Sequence, residues 1–207
     1  MKCRKFEHHR EQTVPASAFA KTYFALWGAQ HTRAERMDIL IPAWIDGQLQ
    51  PVEKLQTHLR GLRHKAVSVF VMCDAETLLQ RRALSKYHTP GLWANACCTH
   101  PEWGETGFDC AQRRLEEELG LAGQVPVYRD TVEYRADVGG GMIEYEVVEI
   151  YTLQAEQIDI HPNPEEVMDY RLQNLTNLNN AIAEEPEIFT PWLKIYLSQH
   201  SKAIFGT

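Results

Sequence analysis

The segment that most restricts the fold is residues 105–119, ETGFDCAQRRLEEEL. Phe108, Ala111, Leu115 and Leu119 recur three and four positions apart, the spacing of one helix face, and Gly120 follows as a helix-ending glycine. A helix with one apolar stripe has to bury that stripe against another element, and its neighbours in the chain offer strands. ILIPAWI and QLQPV flank Asp46-Gly47, a two-residue hairpin signal. AVSVFVM (66–72) and TLLQRRA (77–83) flank Asp74-Ala75-Glu76 as a second hairpin. Residues 53–63 are polar and read as loop or turn. WANACCTH (93–100) reads as one short strand after the turn Pro90-Gly91. Strands near 127–135 and 142–153 joined by Gly139-Gly140-Gly141, a strand near 167–172 and helices near 175–184 and 190–200 complete the chain. Hairpins with interspersed helices predict an α/β (mixed α+β) fold, a mixed β-sheet with helices packed on it.

The expected organisation is a leader, residues 1–36, with a short helix near 16–28, and a single domain over 37–207 that opens with the N-terminal hairpin and closes with the C-terminal helices. The 207 residues carry 28 acidic and 21 basic side chains, a net charge of −7, which argues against a general nucleic-acid binder. No apolar run approaches the roughly 18–20 residues that span a bilayer. Cysteines at 3, 73, 97, 98 and 110 are odd in number and two are adjacent, which argues against a disulfide framework. No CxxC pair is present, so the usual structural zinc sites are excluded. The leader has seven Lys/Arg and three Glu but no secretory signal pattern. These features predict a soluble cytoplasmic protein without nucleic-acid or membrane partner, and a monomer with no protein partner is expected.

Side-chain parity then picks out chemistry. Residues two apart on a strand share a face, so Cys98 and His100 point one way and Cys97 and Thr99 the other. In MIEYEVV, Glu144 and Glu146 share a face opposite Ile143, Tyr145 and Val147. Two carboxylates side by side in an apolar strand need positive compensation, and a divalent cation supplies it. An edge strand with a solvated acidic face explains the same pattern equally well. On the helix, Glu118 falls roughly 60° and Arg114 roughly 100° from the centre of the apolar stripe. The pair reads either as site residues or as an ordinary i,i+4 ion pair. Arg81, Arg82 and Lys86 are locally cationic in an acidic chain and by themselves read more readily as a solvated turn than as a site.

Taken together, LLQRRALSKYHTPGLWANACCTHPEWGET, RRLEEELGL, EYRADVGGGMIEYEV and EEVMDYRLQNL closely resemble the type I isopentenyl diphosphate isomerases over residues 37–195. WANACCTHP together with EYE is specific to that branch, and Glu105 to Gly120 resembles the Nudix fold. The resemblance implies a Nudix-like mixed sheet sandwiched by helices. It also implies conversion of isopentenyl diphosphate to dimethylallyl diphosphate by a 1,3 proton shift through a carbocation-like intermediate. On that resemblance His58, His64 and His100 with Glu144 and Glu146 hold Mn²⁺ or Mg²⁺, and Zn²⁺ suits the same donors. Glu118 holds a second Mg²⁺ that bridges to the diphosphate, which Lys54, Arg82, Lys86 and Arg114 grip. Cys98 and Glu146 are the catalytic pair, Tyr134 hydrogen-bonds near Glu146, and Trp192 covers the hydrocarbon end. The step from His58 to His64 is one residue shorter than the family pattern. His8, His9, His31, His88, His161 and His200 receive no role. The alternative is a Nudix-type diphosphate hydrolase, but such an enzyme has a glycine at position 99 and a glutamate at 114. Here those positions hold Thr99 and Arg114.

Overall fold

The run from Arg63 to Cys73 buries Ala66, Val67, Val69, Phe70 and Val71 on both of its faces. A β-branched run covered on both sides is a central strand with a packing layer above and another below. The computed structural model describes residues 4–5 and 39–206, so the expected leader helix near 16–28 lies outside the described residues. In chain order the elements are β1 (Arg4–Lys5), β2 (Leu40–Ile45), β3 (Gln48–Glu53), α1 (Lys54–Leu59), β4 (Arg63–Cys73), β5 (Glu76–Arg82), β6 (Trp93–Asn95), β7 (Cys97–Thr99), α2 (Gly107–Leu119), β8 (Val127–Gly139) and β9 (Met142–Gln154). They continue with β10 (Gln157–Ile158), β11 (Val167–Asn174), α3 (Leu175–Glu184), α4 (Pro191–Gln199) and α5 (Ser201–Phe205).

Strand β4 is the hub. It pairs in parallel with β9 from Arg63–Tyr145 to Met72–Gln154, and antiparallel with β5 and β7. The β2–β3 hairpin turns at Asp46-Gly47, both with positive φ (52° and 78°), as a two-residue hairpin turn requires. It joins the sheet where Ala43 meets His64. Strand β8 pairs with β9, and β11 with β5. The sheet is therefore mixed, as expected. Alternate β4 residues feed two cores. Val67, Val69 and Val71 pack with Cys97 and with Ala111, Leu115 and Leu119 of α2. Ala66 and Phe70 pack with Val148 and Ile150 and with Trp192, Leu193 and Tyr196 of α4. No helix among the described residues is long and apolar enough to cross a membrane.

Three local expectations are corrected. Residues 54–59 are helical, because the Glu53 carboxylate caps the turn by accepting from the backbone N–H groups of Leu55 and Gln56, each at 2.8 Å. The strand expected over 93–100 divides at Ala96, where the chain passes from pairing with β5 to pairing with β4. Helix α2 starts only at Gly107, capped by Thr106, so Phe108 lies in the first turn and stays 36% exposed while Cys110 joins the buried stripe. Cys97, Cys98 and Cys110 are free thiols, but Cys73 is disulfide-bonded, a cross-link that the cysteine pattern did not predict.

Gly120 closes α2 with φ +70°, and a Cβ there would meet the His161 Cβ at 2.9 Å and its carbonyl oxygen at 3.0 Å. Gly120→Ala should lower the unfolding free energy by at least about 1–2 kcal/mol through the left-handed backbone alone. Urea denaturation measures it, and an unchanged midpoint would contradict this account of the helix end.

Candidate active site

Strand register assembles the floor of the site. His64 of β4 lies opposite Glu146 of β9, and Tyr134 of β8 flanks Glu146 on the other side. Glu144 and Glu146 are both buried on this face, with Ile143, Tyr145 and Val147 half-buried on the opposite one. Cys98 of β7 stands opposite Ser68 of β4 and lines the same pocket as Glu144, Glu146 and His100. Cys97 points the other way, toward α2, where its thiol donates to Glu118 Oε1 at 3.4 Å. Parity thus separates the two cysteines as expected. Lys54 and His58, one turn apart on α1, share a face, and despite the shortened step to His64 His58 joins the cluster.

His58, His64, His100 and Glu146 are all buried, and each offers a ligand atom within 4.8 Å of the others. The His58 Nδ1–H donates to the Lys54 carbonyl at 2.6 Å, and the His64 Nδ1–H to the Leu62 carbonyl at 2.7 Å. In the neutral rings each Nε2 is then a bare lone pair turned inward. His58 Nε2 is buried without a hydrogen-bond partner, and His64 Nε2 lies 3.2 Å from His100 Nε2. His100 Nε2 also lies 3.0 Å from Glu146 Oε1; nitrogen and carboxylate atoms this close suit a divalent cation, with the backbone carbonyls fixing the tautomers of His58 and His64. Burial lowers the His58 pKa to about 4 and holds His100 well below the usual imidazole range. Both rings therefore remain neutral donors at neutral pH.

The two carboxylates differ in protonation. Burial, reinforced by the Glu146 charge, pushes Glu144 well above the carboxylate range. Burial acts on Glu146 in the same sense, but the facing imidazoles of His100 and His64 outweigh it and hold Glu146 well below that range. One proton is thus shared unequally by the pair. The Tyr134 hydroxyl donates to Glu146 Oε2 at 2.6 Å and lies 3.0 Å from Glu144 Oε2, where it can accept that proton. Cys98 is fixed by its own network. Its thiol donates to Asn95 Oδ1 at 2.9 Å and lies 2.8 Å from Ser68 Oγ, which donates to the Tyr196 hydroxyl at 3.1 Å. Burial pushes the Cys98 thiol upward, so it is protonated at neutral pH.

Lys54, Arg82, Lys86, Arg114 and Trp192, which the family resemblance grouped, line the same pocket. Burial first, and then the charges of Lys86 and Arg114, lower the Lys54 ammonium to about 8. Arg82 lies 5.2 Å from the centre of the Trp192 ring and donates to the His88 carbonyl at 3.1 Å. Glu118 is placed differently. Its Oε1 accepts from Arg114 Nε and Nη2 at 3.0 and 2.7 Å, and its Oε2 from Gln80 at 3.1 Å. It stands behind Arg114 and belongs to neither of the two donor clusters found among the described residues.

Residues 62–193 match the NUDIX domain family. Isopentenyl-diphosphate Delta-isomerases from Dinoroseobacter shibae and Cereibacter sphaeroides are each 60% identical to this chain. The first alignment covers 83% of this chain and 98% of that protein, the second 82% and 97%. The chain belongs to the isopentenyl-diphosphate Delta-isomerase family. The fold is shared more widely. The solved structure of DR0079 from Deinococcus radiodurans superposes with a TM-score of 0.62 at 17% identity, covering 77% of this chain and 97% of that one.

Several residues of this isomerase-family pocket escaped sequence reasoning. Ser68 carried a signal, being one polar residue inside AVSVFVM. Asn95 and Tyr196 carried none, since their partners are distant in sequence. His88 forms a second donor cluster with His58 and Glu144. Glu166 pairs with Lys86 and, at 3.2 Å, with Arg114. Burial raises the Glu166 pKa, but those two cations prevail and lower it to about 2, so it is ionised at neutral pH beside two cations that line the pocket. Removing that charge frees both cations. Glu166→Gln should tighten binding of inorganic diphosphate by roughly three- to tenfold in calorimetric titration; unchanged affinity would show that the pairing does not compete.

Proposed function

We propose that the protein interconverts isopentenyl diphosphate and dimethylallyl diphosphate by adding a proton at one carbon and removing another two carbons away. The observation that carries this reading is that Cys98 and Glu146, on different strands, line one pocket together with Trp192 and a cationic rim. An unactivated alkene is a weak base, so an acid and a base on opposite sides of a flat substrate are needed to pass through a cationic centre. Cys98 enters with its thiol protonated, and Glu146 enters ionised beside the proton held by Glu144 and Tyr134. The indole of Trp192, 1% exposed, presents a face that stabilises a carbocation without adding to it and keeps out water that would trap it.

His58, His64, His100 and Glu146, with Glu144 adjacent, would hold the divalent cation, Mn²⁺ or Mg²⁺ with Zn²⁺ as an alternative. That cation would supply positive charge that fixes the Glu146 carboxylate and sets its basicity. Lys54, Arg82, Lys86 and Arg114 bind the diphosphate. Glu118 would hold the second Mg²⁺ that accompanies the diphosphate; in the structure its Oε1 accepts from Arg114 at 2.7 Å and its Oε2 from Gln80 at 3.1 Å. The hydrolase reading is disfavoured because Arg114 stands where a Nudix hydrolase carries a glutamate.

Incubation with isopentenyl diphosphate and Mg²⁺ in D₂O should give dimethylallyl diphosphate carrying deuterium, with no free phosphate, by proton and phosphorus NMR. Phosphate or monophosphate release without isomer would overturn the proposal. Cys98→Ala should lower kcat by at least about 10²–10⁴-fold, while Cys97→Ala retains most activity; equal losses would refute the parity assignment. Lys54 loses its charge above its free-enzyme value of about 8. Accordingly kcat/KM should fall as pH rises through that value, and Lys54→Arg, which stays charged, should remove that limb of the profile. An identical fall in Lys54→Arg would assign the titration to another group.

A further inference from the structure

We propose that His88 is a fourth imidazole ligand of the His/Glu metal centre and tilts the site toward nitrogen-preferring divalent cations. The inference rests on the reading of that centre as a cation site. His88 is 6% exposed and stands in the loop between β5 and β6. Its ring stacks on His58 with centroids 5.6 Å apart and meets Trp192 edge-on at 6.0 Å. Its Nδ1 contacts Thr89 Oγ1 at 3.1 Å, which leaves Nε2 as the atom turned toward Glu144 Oε1, 3.7 Å away and beyond hydrogen-bond reach.

Ligand atoms of His58, His88 and Glu144 lie within 4.8 Å of one another, as do those of His58, His64, His100 and Glu146. His58 belongs to both groups, and its Nε2 is buried without a partner. Adjacent ligands of a six-coordinate ion at 2.0–2.2 Å stand about 3 Å apart. One shell of four imidazoles and two carboxylates forms when His88 and Glu144 close onto the ion held by His58, His64, His100 and Glu146. The backbone is consistent with a constrained placement. Thr89, β-branched and buried, sits at φ +47°, a left-handed conformation that such residues avoid unless their surroundings impose it. The strained residue is the one that fixes the His88 ring.

Softer nitrogen donors favour Co²⁺ and Zn²⁺ over Mn²⁺ and Mg²⁺, so the fourth imidazole should appear in selectivity. The test uses the full chain stripped with chelator and titrated with Zn²⁺, Co²⁺ and Mn²⁺ by calorimetry, comparing wild type with His88→Ala and His88→Gln. The expected result is a loss of at least tenfold in Zn²⁺ and Co²⁺ affinity, a loss under threefold for Mn²⁺, and an altered Co²⁺ ligand-field spectrum. X-ray absorption of the Zn²⁺-loaded proteins should count four imidazoles in wild type and three in both variants. Equal losses for all three ions, or an unchanged imidazole count, would show that His88 only positions Glu144 and would overturn the proposal. Wild-type protein that binds none of the ions would overturn the cation reading as well. A circular dichroism spectrum matching wild type keeps either variant interpretable.

Discussion

The structure is organised around one electrostatic problem, the burial of Glu144 and Glu146 two residues apart on the same face of a central strand. Neither carboxylate can be left unanswered in that setting, because an uncompensated buried charge costs several kcal/mol. Every neighbouring element contributes part of the answer. Strand β4 brings His64, β7 leads to His100, α1 carries His58, and β8 inserts the Tyr134 hydroxyl between the two carboxylates. The solution leaves one carboxylate protonated and the other ionised, an asymmetry that acid–base chemistry can use.

The same sheet separates two kinds of cysteine. Cys97 and Cys98 are adjacent, yet one is packed into the α2 core and the other is held by Asn95 and Ser68 beside the carboxylates. Strand pleating alone makes this division, so a shift of one residue in β7 would exchange the two thiols between pocket and core. The pairing of β7 with β4 at Val67–Thr99, Ser68–Cys98 and Val69–Cys97 fixes that register. The Asn95 amide reinforces it by donating to the carbonyls of Val69 and Cys97, each at 3.0 Å.

The fold and much of the candidate site were legible because they follow from short-range rules. Period two in MIEYEVV and period three-to-four around Leu115 determine which faces are buried, and Asp-Gly and Gly120 mark where elements stop. Those rules were less able to see α1, whose six residues carry a single apolar pair, Leu55 and Leu59, that stays exposed, and which is capped by the Glu53 carboxylate. They were also blind to partnerships made by the sheet rather than by the chain. Glu166 meets Lys86 across eighty residues and Tyr196 meets Ser68 across 128, separations at which only assembly brings the groups together. His88 looked like a lone loop histidine because its companions, His58 and Glu144, arrive from a helix before it and a strand long after it.

Glu166 carries a consequence for the catalytic cycle. A double-bond shift leaves the diphosphate untouched, so the cationic rim would hold reactant and product alike. A grip that is equal at both ends of a reaction deepens the well on either side without lowering the pass between them. Standing against Lys86 and Arg114, Glu166 would then be an internal rival for that grip. On that reading it would give up affinity that could not speed the chemistry and would hasten the departure of a product that carries the same handle as the substrate.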